Sequence, residues 1–157
     1  MQTAAAFFDE RAPRWEAACY PPAVRERLTD LIESFGLTAG MRVLDMGTGT
    51  GVLLPYIQAC IGPDGRICAF DLSLPMARQA DQKRRWHRDL VVRCDAHHIP
   101  LRAAFFHRVI SFAAFPQFED PAAAQAEMGR VVAPGGEVVI AHRLSREELA
   151  AHHASHQ

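Results

Sequence analysis

Val43-Leu44-Asp45-Met46-Gly47-Thr48-Gly49-Thr50-Gly51 is the stretch that decides the fold. Arg42 to Met46 is a short apolar run with one acid, the pattern of a buried strand. Three glycines then end it, at positions 47, 49 and 51. Glycine lets a backbone turn sharply and lets a ligand approach main-chain N–H groups. A helical pattern follows from Val52 to Ile61, with Pro55 tolerated in its first turn. A strand, a glycine loop and a helix in that order form the ligand-binding corner of an open α/β sheet.

Downstream, the pattern repeats. Gly62-Pro63-Asp64-Gly65 is a turn. Arg66 to Phe70 reads as a second strand ending at Asp71. Ser73 caps a helix expected from Leu74 to Arg88. Leu90 to Cys94 is a third strand ending at Asp95, and Arg108 to Phe112 a fourth. Asp120 caps a helix from Pro121 to Val132. Pro134-Gly135-Gly136 is a turn before a fifth strand, Glu137 to Ala141. Ser145 with Glu148 forms a capping box that opens a last helix. Strands alternating with helices imply a mostly parallel sheet with helices on both faces.

Upstream, Thr3 to Cys19 reads as one helix carrying Phe7, Phe8 and Trp15. Pro21-Pro22 breaks it. Ala23 to Phe35 is a second amphipathic helix, and Gly36 stops it. The expected organisation is one domain over 1–157. Helices or a lid occupy 1–36, the α/β core 41–142, and a C-terminal helix 145–157.

Composition narrows the function. The chain has 157 residues, is 49% hydrophobic and carries a formal net charge of −1. That balance makes no electrostatic case for nucleic acid or an anionic membrane. The basic run Lys83-Arg84-Arg85 with Arg88 reads as a solvated helix face. No apolar stretch approaches the roughly 20 residues of a membrane span, and no signal layout opens the chain. Cys19, Cys60, Cys68 and Cys94 are scattered and form no C-x-x-C pair. They read as reduced thiols of a cytoplasmic protein. His152 and His156 share a helix face, but no nearby carboxylate or cysteine completes a metal site.

The acids that end the strands carry the functional signal. Asp45, just before the loop, would repel a pyrophosphate and suits a cationic group. The G-x-G-x-G spacing is one residue short of the dinucleotide fingerprint. Both features count against a nicotinamide-dependent oxidoreductase. A carboxylate at Asp71 can accept from both hydroxyls of a ribose. Asp95 can accept from an adenine amino group while the Ala96 amide donates to a ring nitrogen.

These residues resemble those of the class I S-adenosylmethionine-dependent methyltransferases. Val43 to Gly51 looks like their first motif, and Ala69-Phe70-Asp71 like their ribose-binding strand end. Cys94-Asp95-Ala96 with Ile99-Pro100-Leu101 resembles their adenine segment. Arg130 to Gly136 resembles the turn before their fifth strand. The likeness is greatest to the small bacterial and archaeal branch similar to the ubiquinone/menaquinone methylases.

The resemblance implies a Rossmann-like, doubly wound sheet of strand order 3-2-1-4-5. It also implies S-adenosyl-L-methionine as cofactor, S-adenosyl-L-homocysteine as product, and a small-molecule methyl acceptor. Gly47, Thr48, Gly49 and Gly51 would line the amino-acid and ribose part, and Asp45 would order the methionyl ammonium. Asp71 would bind the ribose, and Leu72 and Met76 would pack on the adenine. Asp95 and Ala96 would read the adenine edge, and Ser111 and Phe112 would approach the methionine side and the acceptor. In-line transfer from a sulfonium needs alignment and water exclusion more than a catalytic triad. His142 is a candidate base, while Trp15 and Tyr20 are candidates for a lid.

Members of the family usually carry an antiparallel hairpin after the fifth helix. Gln157 comes before either of its strands could form. A truncated chain, a homodimer paired across the fifth-strand edge, or a final helix folded over that edge would each answer this. The alternative functional reading is a non-catalytic module binding S-adenosylmethionine or its product, or a truncated partner subunit.

Overall fold

The computed structural model describes residues 2–144 and 147–148. Its centre is a five-stranded sheet of order β3-β2-β1-β4-β5. The strands are β1 (Arg42–Met46), β2 (Arg66–Asp71), β3 (Leu90–Arg93), β4 (Phe106–Phe112) and β5 (Val132–Ala141). Every neighbouring pair is parallel, with Val43 opposite both Ile67 and Arg108. This is the expected order, and it places the switch in strand direction of travel at β1 and β4.

Alternate side chains of the central strands enter two cores. Val43, Ile67, Ala69 and Ile110 face one, packed with Leu28 and Ile32 of α3 (Pro22–Glu33) and Ile57 of α4 (Leu54–Ile61). Leu44, Met46, Phe70 and Val109 face the other, packed with Met128 and Val131 of α6 (Pro121–Val131). Leu44 and Val43 are fully buried. Burying such a side chain contributes roughly 1.5–3 kcal/mol, so these two faces hold the sheet between its helices.

Several expected boundaries move. The N-terminal helix divides into α1 (Ala4–Arg11), a 3-10 turn (Ala12–Arg14) and α2 (Trp15–Cys19). Pro13 causes the division, because it has no N–H to continue the α-helical ladder. α5 (Leu74–Gln82) ends well before Arg88. The chain must reach β3, where Leu90 pairs with Cys68 and Asp89 accepts from Ile67 N at 3.0 Å. Residues 83–89 therefore become a connection. Lys83, read as part of a solvated face, is instead half-buried and ion-paired with Glu16.

β5 also starts earlier than expected. Its pairing with β4 jumps from Phe106↔Val132 to Arg108↔Glu137, so Pro134-Gly135-Gly136 is an irregularity within the strand. Gly135 supplies the positive φ of +78° that this needs. The helix expected from Ser145 lies outside the described residues, apart from Glu147 and Glu148. Arg27 Nη1 reaches Glu148 Oε1 at 3.2 Å.

Candidate functional site

Parallel strands bring all their carboxyl ends to one edge of the sheet. There the loops after β1, β2, β4 and β5, together with the N-terminal segment, enclose a cavity of about 850 Å³. That lies near the upper end of the roughly 300–1,000 Å³ typical of small-molecule sites.

The glycine loop is pinned from below, where Thr48 N donates to Phe70 O at 2.8 Å. Its glycines have positive φ of +69° (Gly47), +57° (Gly49) and +78° (Gly51), but they do different work. A Cβ on Gly47 would lie 2.4 Å from Ala114 Cβ. A Cβ on Gly51 would lie 2.8 Å from Ala80 Cα, so this glycine lets α5 approach the loop. Only Gly49 is open. A Cβ there would meet nothing nearer than Trp15 Nε1, at 3.8 Å.

Two carboxylates stand at this loop. Asp45 is 2% exposed and accepts from the Thr48 hydroxyl at 2.7 Å. Burial pushes its carboxyl up to about 7 against the lowering effect of that bond. Asp71 accepts from Gly49 N at 2.8 Å and from Ser73 N at 2.9 Å. Burial raises its pKa as well, and those two amides hold it back. Among the described residues, neither acid has a cationic partner.

The N-terminal segment forms the opposite wall. Trp15, Tyr20, Phe7 and Phe8 all line the cavity. Glu16 fastens this segment to the loop through the Thr50 hydroxyl at 2.7 Å and through Lys83. Sequence reasoning missed this tie, because nothing in a lone glutamate 34 positions away marks its partner.

Of the residues singled out from sequence, Asp45, Gly47, Thr48 and Gly49 line the cavity. So do Asp71, Leu72, Met76 and Phe112, and His142. Gly51, Asp95, Ala96 and Ser111 do not form its wall. Asp95 stands on the exposed side of the loop after β3, where its Oδ1 accepts from His97 N at 2.9 Å and from His97 Nδ1 at 2.5 Å. The His97 main-chain bond comes first among the causes that lower its pKa. Ala96 packs with the α6 core. Ser111 is fully buried in β4, and its hydroxyl has no partner among the described residues.

Other lining residues carried no sequence signal. Arg14 and Arg143 enter the cavity from the N-terminal segment and from just beyond β5. Ala113 turns the chain after β4 at φ +56°, a conformation favoured by glycine, and its N–H donates to Ala141 O at 2.8 Å. Among the described residues, no group of three or more His, Cys, Asp or Glu is placed to hold a metal. His152 and His156 lie outside them.

Comparison with known proteins gives this geometry its context. Residues 44–140 match a family described as a methyltransferase domain. A malonyl-[acyl-carrier protein] O-methyltransferase of Geobacter sulfurreducens is 39% identical over 72% of this chain and 42% of its own length. A demethylmenaquinone methyltransferase of Renibacterium salmoninarum is 33% identical over 87% of this chain and 57% of its own length. The chain thus spans about half the length of these curated relatives. Among solved structures, a SAM-dependent methyltransferase from Aquifex aeolicus superposes with a TM-score of 0.72. It is 26% identical, covering 84% of this chain and 71% of its own. The chain belongs to the class I S-adenosylmethionine-dependent methyltransferases, and S-adenosylmethionine is its cofactor.

Proposed function

We propose that this chain catalyses methyl transfer from S-adenosylmethionine to a small-molecule acceptor. The observation that carries the reading is the pair Asp45 and Asp71. Asp45 is buried and Asp71 half-buried in one cavity wall beside the glycine loop, and both lack a cation among the described residues. An unpaired buried carboxylate is costly. A cationic ligand with hydroxyl donors relieves that cost, and a pyrophosphate would worsen it. The residues therefore fit a sulfonium nucleoside with an ammonium tail.

In this reading Asp45 faces the ammonium, and Asp71 takes the ribose hydroxyls. Gly47 and Gly49 let the ligand approach the main chain closely, while the Thr48 and Gly49 N–H groups stay bound to Phe70 O and Asp71, and Leu72 and Met76 give apolar contact to the base. Asp95 and Ala96 extend the site beyond the enclosed cavity. When bound, the cofactor supplies an electrophilic methyl carbon. The protein's own part is to align and to dry. Phe112 and the lid residues Trp15 and Tyr20 exclude water, and Thr48 keeps the Asp45 carboxylate oriented. His142 lines the cavity within the acceptor half and is the candidate to take a proton where the acceptor must lose one.

The relatives named for malonyl-[acyl-carrier protein] and for demethylmenaquinone are both methyltransferases, which supports methyl transfer as the reaction here. Calorimetric titration with S-adenosylhomocysteine, followed by labelled methyl transfer into a metabolite extract, tests the proposal. Cofactor binding with transfer is expected. Binding without transfer to any acceptor would favour a non-catalytic module, and absence of binding would refute the site.

A further inference from the structure

The cavity wall carries both signs of charge. Asp45 and Asp71 stand at the tips of β1 and β2. Arginines enter from the N-terminal segment, where Ala12 O accepts from Gln79 of α5 at 2.8 Å, and from beyond β5. Arg14 lines the cavity and has no hydrogen bond or ion pair among the described residues. Among the described residues, Arg143 donates one long bond, from Nη1 to Cys19 O at 3.4 Å. The third arginine of the wall, Arg11, is already engaged. It donates to Phe7 O at 3.0 Å, lies over the Phe7 ring, and has Glu10 at 3.7 Å.

Tyr20 follows Cys19, whose carbonyl takes the Arg143 bond. It is 6% exposed, with its ring against Phe112 at 6.2 Å. Its hydroxyl has no partner among the described residues. Nor is it sealed away: the fully enclosed, unpartnered side-chain polar atoms are those of Trp86, Asp89 and Ser111. The hydroxyl therefore opens on the cavity that Tyr20 lines. Burial first, then the Cys19 thiol and the Asp45 carboxylate, push the Tyr20 pKa up against the Arg143 and Arg25 charges, so this group keeps its proton and serves as a donor. A guanidinium with free N–H groups next to a buried O–H donor is a receptor for an oxyanion.

Which molecule supplies that oxyanion follows from the strand order. Arg143 lies beyond β5, two strands from β1. At about 4.8 Å per strand spacing, the end of β5 lies roughly 10 Å across the sheet from the end of β1. The cofactor's acidic grip lies on the β1–β2 side.

We propose that Arg143 and the Tyr20 hydroxyl anchor an anionic acceptor, a small molecule with an apolar or aromatic body and a carboxylate. Its body rests on Trp15, Phe112 and Phe118. This inference rests on the methyltransferase reading above and adds the acceptor's charge and shape.

The test titrates S-adenosylhomocysteine into the full chain. It then titrates two acids, 4-hydroxybenzoate and octanoate, and their neutral amides into that complex. Wild type, Arg143→Gln, Arg143→Lys and Tyr20→Phe are compared, with circular dichroism checking the fold of each. At least one acid is expected to bind tenfold or more tightly than its amide. Arg143→Gln should abolish that preference, Arg143→Lys retain part of it, and Tyr20→Phe reduce it severalfold. Affinity for S-adenosylhomocysteine should stay within twofold in both Arg143 variants.

Equal binding of acid and amide, or binding of neither acid, overturns the proposal. So does a large loss of S-adenosylhomocysteine affinity in Arg143→Gln with 5′-methylthioadenosine unaffected, since the carboxylate held would then be the cofactor's own. If wild type binds no S-adenosylhomocysteine, the methyltransferase reading fails separately. The acid–amide comparison on the free protein still decides the anion site.

Discussion

The Thr50 hydroxyl donates to Glu16 Oε1 at 2.7 Å and so joins the N-terminal segment to the glycine loop. Lys83 Nζ meets the same carboxylate and also donates to Thr50 O at 2.6 Å. Arg25 Nη2 takes the other oxygen at 3.1 Å. One side chain thus gathers α2, α3, α5 and the loop. Glu16→Ala leaves the hydroxyl and the ammonium partly buried without an acceptor. A loss of about 1–3 kcal/mol is expected, read by urea unfolding. Glu16→Gln keeps a hydrogen-bond acceptor and should lose less. Equal stability of wild type and Glu16→Ala would show that the tie does not form in solution.

Asp71 serves both the loop and the proposed ribose site. Asp71→Ala is expected to weaken S-adenosylhomocysteine binding by roughly 1.5–3 kcal/mol through lost charge-assisted hydrogen bonds. It should also lower the melting temperature, because Gly49 N and Ser73 N lose their acceptor. Calorimetry and thermal unfolding separate the two effects. An unchanged dissociation constant would remove Asp71 from the ribose.

The glycines should respond unequally. Gly51→Ala places a methyl 2.8 Å from Ala80 Cα at φ +78°. Overpacking of that kind costs typically about 1–3 kcal/mol, added to the left-handed strain. Gly40→Ala has the same strain at φ +83° and nothing within 4 Å. It should cost only about 1–2 kcal/mol. Gly49→Val carries the left-handed strain too, at φ +57°, and more heavily for a β-branched side chain, but meets no backbone; it is expected to fold with lowered stability and to lose cofactor binding, because its space opens on the cavity. Unfolding midpoints and calorimetric titration of the three variants test this order.

Asp45 should make the ligand-free protein less stable as the solution becomes more basic. Its carboxyl rises from 3.8 to about 7 on folding, through burial. The folded state therefore holds the proton more tightly than the unfolded chain does. The stabilising contribution is complete below about pH 4 and is lost as pH rises through 7. Asp45→Asn should remove this part of the slope in urea midpoints measured between pH 5 and 8. Binding a cationic cofactor should expel the proton, so titrations at pH 6.5 in buffers of different ionisation heat should show proton release. Asp45→Asn should show none.

The first three strands were legible because they are short apolar runs closed by glycine or aspartate at or just past their ends, a pattern set by local chemistry. β1 and the turn at Gly47 are examples. Elements governed by distant partners were less legible. α5 stops at Gln82 because Asp89 must meet Ile67 N, a contact between residues 22 positions apart. β5 begins at Val132 because Phe106 is there to pair with it. In the site, Asp45, Gly49 and Asp71 announce themselves by position at strand ends. Arg143 follows the last strand with no motif around it, and Ala113 adopts a glycine-like φ that its side chain does not advertise. Gly51 looks like the other loop glycines, but its neighbour Ala80 sets its role.

Among the described residues β5 forms one border of the sheet, and its Val138 and Ile140 are 38% and 40% exposed. Main-chain donors and acceptors along that border point outward beside a greasy strip, a template on which foreign peptide can lay itself. Crowding at high protein concentration should therefore provoke clumping that starts here. Lysine at either position would improve colloidal behaviour while leaving the nucleoside crevice untouched.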